Sequence, residues 1–247
     1  MTTGDLAPED FTVDTLLRGR VTLLQPARGF RSSLDPVLLA GFLAAPHGRF
    51  LDIGCGTGAL SFLLLAGDPA ASGVGLELQP RLAALAAAGC ARNGWQARLD
   101  VQAGDARQVA QRLPAASFDL VVTNPPFRVV GAGRLPPDPE RALAVAELSL
   151  GLGDWLDVAA RAARPGGRVA AIFPADRLAE LTGGLRARDL QPTRLRAVHP
   201  YADRPASRVL VEAERGGRGA LAVEPPLVLH AAAERYTEEV RRMLGEA

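Results

Sequence analysis

The segment Phe50-Leu51-Asp52-Ile53-Gly54-Cys55-Gly56-Thr57-Gly58 constrains the fold more than any other stretch, because a buried-looking apolar run empties into glycines at alternate positions. The run reads as a parallel strand, and the glycines as a tight loop that opens a helix and lets backbone N–H groups approach a nucleotide-like ligand closely. From Arg49 onward strand and helix patterns alternate. Strands are predicted at Phe50–Ile53, Gly73–Leu76, Arg98–Gln102, Leu120–Thr123 and Arg168–Phe173, with helices starting near Gly58, Pro80, Ala106 and Asp138. Such alternation calls for right-handed β-α-β crossovers and a parallel sheet covered on both faces.

After Phe173 a helix is predicted over Ala175–Arg186, strands over Arg194–His199, Arg208–Glu214 and Leu227–His230, and a final helix over Tyr236–Leu244. Ahead of the glycine loop, Thr12–Gln25 and Gly29–Ser33 read as a short strand pair around the turn-rich Pro26-Ala27-Arg28-Gly29. Asp35-Pro36 then opens a helix to about Ala44, with Asp35 as N-cap and Pro36 in the first turn. The expected architecture is α/β and Rossmann-like: a seven-stranded, mostly parallel sheet with helices on both faces, preceded by a short strand pair and helix. No interior composition break marks a linker, so residues 1–247 are taken as one domain, with 1–48 an N-terminal extension and 49–247 the catalytic core.

A second motif carries the chemistry. Phe118-Asp119-Leu120-Val121-Val122 leads into Thr123-Asn124-Pro125-Pro126-Phe127, a strand that ends in an amide. Asn124 offers a side-chain carbonyl, and Pro125 and Pro126 lack N–H groups, so nearby carbonyls are left to face a ligand. Two aimed acceptors suit a planar NH2 donor, and Phe127 supplies a flat face on which a ring bearing that NH2 can stack. The glycines of the first motif follow Gly-x-Gly-x-Gly, not the Gly-x-Gly-x-x-Gly of dinucleotide enzymes. Glu77 closes the next strand, where this architecture places an acceptor for ribose hydroxyls. Gly104-Asp105 closes the third, where a second carboxylate can accept from an adenine amine.

Asp52 to Gly58 together with Glu77, Asp105 and Asn124 to Phe127 resembles the class I S-adenosylmethionine-dependent methyltransferases that act on exocyclic amines. More narrowly, the chain resembles the bacterial tRNA(Val) adenine-N6-methyltransferase family, which modifies the adenine beside the anticodon. Leu34–Leu39, Pro137–Leu143, Asp176–Leu178, Leu227–His230 and Arg235–Thr237 add to that likeness. Phe127 departs from it, the family more usually showing Tyr there. The resemblance implies S-adenosyl-L-methionine as cofactor, held by Asp52, Gly54, Gly56, Gly58, Glu77 and Asp105, and catalysis at Asn124, Pro125, Pro126 and Phe127. It also implies an RNA substrate, tRNA, in a soluble cytoplasmic protein acting as monomer or homodimer without a metal. Guanine-N2 methylation of ribosomal RNA, glutamine methylation of a release factor and a non-catalytic RNA-binding role compete with this reading.

Composition narrows the classes further. A formal net charge of +1 rules out a strongly basic protein, so a nucleic-acid surface has to be a local patch. Arg186 to Arg208 carries six arginines near Tyr201, and Arg128, Arg134 and Arg141 flank the loop after Phe127. Phosphate contact and a plain solvated face both fit those runs. Cys55 and Cys90 make no disulfide framework, and Cys55 reads as a small packed residue. His47, His199 and His230 lack ligand spacing for a metal. No apolar stretch approaches the roughly 20 residues that span a bilayer, and the N-terminus has no signal-peptide pattern. Asp119 fits either a cofactor-positioning group or a satisfied strand-end carboxylate.

Overall fold

The computed structural model describes residues 7–126, 150–231 and 235–246. The strands of the main sheet are β3 (Arg49–Ile53), β4 (Ser72–Glu77), β5 (Leu99–Ala103), β6 (Phe118–Thr123), β7 (Ala163–Pro174), β8 (Leu190–His199) and β9 (Arg208–Arg215). Two two-residue strands, β10 (Ala222–Val223) and β11 (Leu227–Val228), both pair in parallel with β8. Across the sheet the order is β10, β8, β9, β7, β6, β3, β4, β5. Only β9 runs antiparallel to its neighbours. The seven long strands thus form the mostly parallel sheet that the alternation predicts. Chain order reverses between β3 and β6, which lie side by side with Asp52 opposite Val122. In open α/β sheets the crevice outside the carboxyl ends at that reversal is where ligands bind.

Helices cover both faces. On one, α1 (Asp35–Phe42), α2 (Ala59–Gly67), α3 (Pro80–Arg92) and α7 (Glu238–Met243) pack over a core that includes Phe42, Phe50, Phe62 and Ile172. The other face carries α4 (Ala106–Arg112), α5 (Leu152–Ala162) and α6 (Leu178–Arg186) around Trp155, Phe118 and Phe173. Because each core strand is covered twice, Leu51, Ile53, Leu120 and Val122 are all fully buried. Their continuous apolar runs, rather than alternation, are the expected sequence form of such strands.

The N-terminal region differs from expectation. The hairpin joins β1 (Phe11–Leu16) to β2 (Val21–Pro26), with Phe11 opposite Pro26 and Leu16 opposite Val21. Its turn is therefore Leu17–Arg20, not Pro26–Gly29. Leu17, Arg18 and Gly19 all take positive φ (50°, 55° and 84°), the backbone a tight hairpin needs; a turn letting two non-glycine residues into that region carries little sequence signal. β2 lies against α3, where Asn93 Oδ1 accepts from Thr22 N at 2.8 Å and Asn93 Nδ2 donates to Thr22 O at 2.7 Å. Helix α1 starts as expected but stops at Phe42, and its N-cap is Leu34, which offers no side-chain acceptor. Asp35 is instead its first residue, with its carboxylate 3.6 Å from Arg208. Ala175–Arg177 forms a 3-10 turn before α6 rather than its first turn. The helix start expected near Asp138 lies outside the described residues, while α5, from Leu152, was not foreseen.

Candidate active site

Three glycines build the floor of the crevice. Gly54, Gly56 and Gly58 have φ of 75°, 57° and 89°, backbone that side chains with a Cβ rarely adopt. At Gly58 space is also short, since a Cβ would lie 2.8 Å from the Phe62 ring. The N–H groups of Gly54 and Cys55 both reach Leu76 O, at 2.8 and 2.9 Å, which fastens the loop to the end of β4.

Glu77 holds the same loop from the side. Its Oε2 accepts from Gly56 N at 2.9 Å and its Oε1 from Gln79 N at 2.8 Å. The acidic residue read from the sequence as a ligand acceptor is thus also the brace of the glycine loop. Asp52, just before the loop, is fully buried; Ser61 Oγ donates to its Oδ2 at 2.7 Å. Burial pushes its pKa up to about 7, and the Glu77 charge adds to the rise, while the Ser61 hydrogen bonds oppose it. A buried carboxyl poised near neutrality beside a ligand cleft favours a cationic guest, which stabilises its charged form.

Asp105 caps α4: its Oδ1 accepts from Arg107 N at 2.9 Å, and the Arg107 guanidinium closes on it at 2.6 Å. The hydrogen bond from Arg107 holds its pKa below the ordinary carboxylate value. Across the crevice, Thr123 Oγ1 donates to Ile53 O at 2.8 Å and locks the end of β6 to the end of β3. Asn124 follows at once, and its side-chain oxygen is buried with no hydrogen-bond partner among the described residues. Thr57 Oγ1 is in the same state. An orphaned buried acceptor costs about 1–3 kcal/mol, and two of them in one cleft point to a ligand that supplies donors.

The cleft itself measures ≈ 900 Å³ including its open mouth. Of the residues singled out from sequence, Asp52, Gly54, Gly56, Glu77, Asp105, Asn124 and Pro126 line it. Gly58 shapes the loop from below, Pro125 is buried beside the lining, and Phe127 lies outside the described residues. Sequence reasoning missed Thr57, whose buried, orphaned hydroxyl shows only in the structure. It also missed the opposite wall, Phe30, Ser32 and Pro36, contributed by the N-terminal region. There Ser32 N donates to Gln25 Oε1 at 2.6 Å, while Asp14 accepts from both Gln25 and Arg31. Phe30 stands over Gly56, close enough that a Cβ there would meet its ring at 3.4 Å.

Asp119 sits at the other end of β6, where Arg164 pairs with it at 2.6 Å and Arg49 N donates to it at 2.8 Å, so it is a structural carboxylate. Cys55 is buried and its thiol is pushed well up by burial, in keeping with a packed residue. Among the described residues no three His, Cys, Asp or Glu side chains gather as a metal set, and no helix is long and apolar enough to cross a membrane.

Residues 34–136 match the methyltransferase small domain model. Over 234 residues the chain is 30% identical to the tRNA1(Val) (adenine(37)-N6)-methyltransferase of Porphyromonas gingivalis, with 91% of each chain covered. The chain belongs to this methyltransferase family. Its Aeromonas hydrophila member is 32% identical, with 83% of this chain and 84% of that one covered. A release factor glutamine methyltransferase of Cereibacter sphaeroides is 36% identical but over only 56% of this chain and 53% of its own. In fold, the chain is similar to a predicted O-methyltransferase of Agrobacterium tumefaciens (TM-score 0.69, 24% identity, 86% of this chain and 97% of that one). It is also similar to P. horikoshii TYW2 in complex with MeSAdo (TM-score 0.59, 15% identity, 86% and 74% covered). The cleft of this family member gathers a glycine loop braced by Glu77, a buried carboxyl in Asp52 and the orphaned amide oxygen of Asn124.

Proposed function

We propose that this chain transfers a methyl group from S-adenosyl-L-methionine to the exocyclic N6 amine of an adenine in tRNA, in the cytoplasm. The observation that carries the reading is Asn124 Oδ1, a buried amide oxygen without a partner, set at the end of β6 across the crevice from the glycine loop.

Glu77, Asp105 and the glycine loop are the groups that would hold the nucleoside end of the cofactor, and the buried Asp52 carboxyl in the same cleft would favour its positive charge. When bound, S-adenosylmethionine supplies a methyl group already activated on a sulfonium. Asn124 does the work on the acceptor. The lone pair of an adenine amine is delocalised into its ring, which makes it a poor nucleophile. By accepting one N–H at Asn124 Oδ1 and the other at the Pro125 carbonyl, the chain biases that nitrogen toward a tetrahedral form with its lone pair aimed across the crevice. Pro126 lacks an N–H, so nothing on the backbone there competes for those acceptors. No strong base is required, since the amine becomes acidic once alkylated and its proton leaves afterwards. Positioning at about 3 to 3.5 Å supplies most of the remaining advantage. Phe127 is assigned the stacking face for the extruded base, an assignment resting on sequence.

The test is transfer of labelled methyl to separate pools of unmodified tRNA, ribosomal RNA and protein, with mass identification of the product. N6-methyladenosine in tRNA is expected; label confined to ribosomal guanine or to protein glutamine overturns the acceptor. Asn124→Ala should cut turnover by roughly 100-fold or more, as loss of one transition-state hydrogen-bonding group does, while cofactor affinity stays within about threefold.

A further inference from the structure

Both tyrosines of the 247-residue chain, Tyr201 and Tyr236, lie outside the core, and one histidine joins them. The rings of Tyr201 and His230 are 5.3 Å apart, and those of His230 and Tyr236 are 5.0 Å apart and stacked at 22°. Tyr236, the outer ring, is 37% exposed. This ladder sits on the cleft side of the sheet. Tyr201 follows the carboxyl end of β8, which runs in the same direction as β6, and His230 follows the carboxyl end of β11 beside it. Between β6 and β8 lie only β7 and β9, and the register sets Thr123 level with Leu195, so the ladder stands three strand spacings across the sheet from Asn124 and further out along the strand direction, on the order of 20 Å away at ordinary strand geometry. That is too far for the methylated base and near enough for its neighbours on one RNA strand.

Charge placement supports the same occupant. Of the six arginines between Arg186 and Arg208, four are paired: Arg188 with Asp157, Arg194 with Glu224, Arg196 with Glu239 and Arg208 with Asp35. Arg204 is exposed and has no ion pair among the described residues. A turn places it at the ladder, since its N–H donates to Tyr201 O at 3.1 Å and its carbonyl meets His199 Nδ1 at 2.7 Å. Exposed Arg235 directly precedes Tyr236, and its carbonyl accepts from Ala231 N at 2.8 Å. Among the described residues of these segments Asp203 and Glu238 face solvent and Glu239 is paired with Arg196, while Glu234 lies outside the described residues. Backbone bonds already fix the segment: Leu229 N reaches His199 O at 2.8 Å and Thr237 N reaches Leu229 O at 2.9 Å. Holding the loop therefore does not require three rings in contact.

We infer that the Tyr201–His230–Tyr236 ladder, with Arg204 and Arg235, is a stacking platform for an unpaired nucleotide flanking the target adenine in the RNA substrate. Stacked rings accept any base face, and the two guanidinium groups meet the phosphates on either side. The inference rests on RNA being the substrate, and its test separates the two. Binding of an unmodified tRNA transcript and of a single-stranded RNA oligomer is measured for the wild type, Tyr236→Ala, Tyr236→Phe and Arg204→Ala, with cofactor affinity and thermal midpoint as controls. Tyr236→Ala should weaken RNA binding about tenfold, the loss expected of one stacked base, while Tyr236→Phe stays within about twofold. Arg204→Ala should weaken binding less and reduce its salt slope by about one, with cofactor affinity unchanged throughout. Equal binding by Tyr236→Ala and wild type, or equal loss in the Ala and Phe variants, overturns the platform even if tRNA is methylated. Conversely, Tyr236-dependent binding of the oligomer without methyl transfer to tRNA leaves the platform standing and removes the proposed acceptor.

Discussion

The two walls of the cleft are built by opposite means. One, the glycine loop between β3 and α2, is held mainly through its backbone N–H groups, two on Leu76 O and one on the Glu77 carboxylate at the end of the neighbouring β4, and by three positive-φ glycines. The other, at Phe30 and Ser32, is held by side chains reaching across a hairpin, with Asp14 bound to Arg31 and Gln25, and Gln25 in turn to Ser32. Backbone bonds of a buried loop are protected from water, whereas the Asp14–Arg31 pair is half exposed and such pairs contribute at most about 1 kcal/mol. The first wall is a fixed template and the second an adjustable cover.

The sharpest way to break this comparison is Glu77→Ala. It strips acceptors from the buried Gly56 N–H and the partly buried Gln79 N–H and should cost about 4 kcal/mol in stability and cofactor binding together, read by calorimetry as a more than hundredfold loss of affinity. A loss under threefold would show that the loop holds itself. Next comes Asp52. Its folded pKa of about 7 lies above the ordinary carboxyl value of 3.8, so between these values the folded state keeps a proton that the unfolded state has released. Its contribution to stability is therefore fully present below the unfolded pKa and falls as pH rises toward 7, by on the order of 4 kcal/mol. Asp52→Asn, followed by denaturant melts of the ligand-free protein from pH 4 to 8, should flatten that part of the profile; an unchanged slope would place the titration elsewhere.

Smaller effects probe each wall separately. Gly58→Ala forces a Cβ onto Phe62 at a φ of 89° and should cost about 1–3 kcal/mol, seen as a lower thermal midpoint. Asp14→Ala should change stability by less than about 1 kcal/mol yet raise the cofactor dissociation constant a few-fold, because Phe30 and Ser32 lose their support. Equal stability losses from Gly58→Ala and Asp14→Ala would erase the distinction between the walls.

The same contrast explains what could be read from the chain. The template wall is local: Asp52 to Gly58, Glu77 and Asp105 each lie at the carboxyl end of a strand in the alternating strand–helix pattern, so type and spacing reveal them before any coordinates. Asn124 is legible for the same reason, since it ends β6. The cover is not local. Asp14, Gln25 and Arg31 show no periodicity, and their meeting depends on a hairpin turn at Leu17–Arg20 whose positive-φ leucine and arginine give no turn signal. Likewise β10 and β11, two residues each, are defined by β8 rather than by their own sequence. Four pairings across the arginine run from Arg186 to Arg208 were also hidden, because their carboxylates come from α1, α5, α7 and the segment between β10 and β11.

The tip of the N-terminal hairpin meets the last described turn of the chain. Arg18 Nη2 donates to Glu246 O at 3.1 Å, a Cβ at Gly245 would stand 3.1 Å from the backbone of Leu17, and Met243 packs tightly over Gly41 of α1. During synthesis a ribosome releases residues 7–126, and with them the glycine loop, Glu77 and Asn124, well before the segment that seats the hairpin. The nascent polypeptide thus carries its cleft-lining strand ends early and gains the final brace of its cover only when residues near 246 clear the exit tunnel.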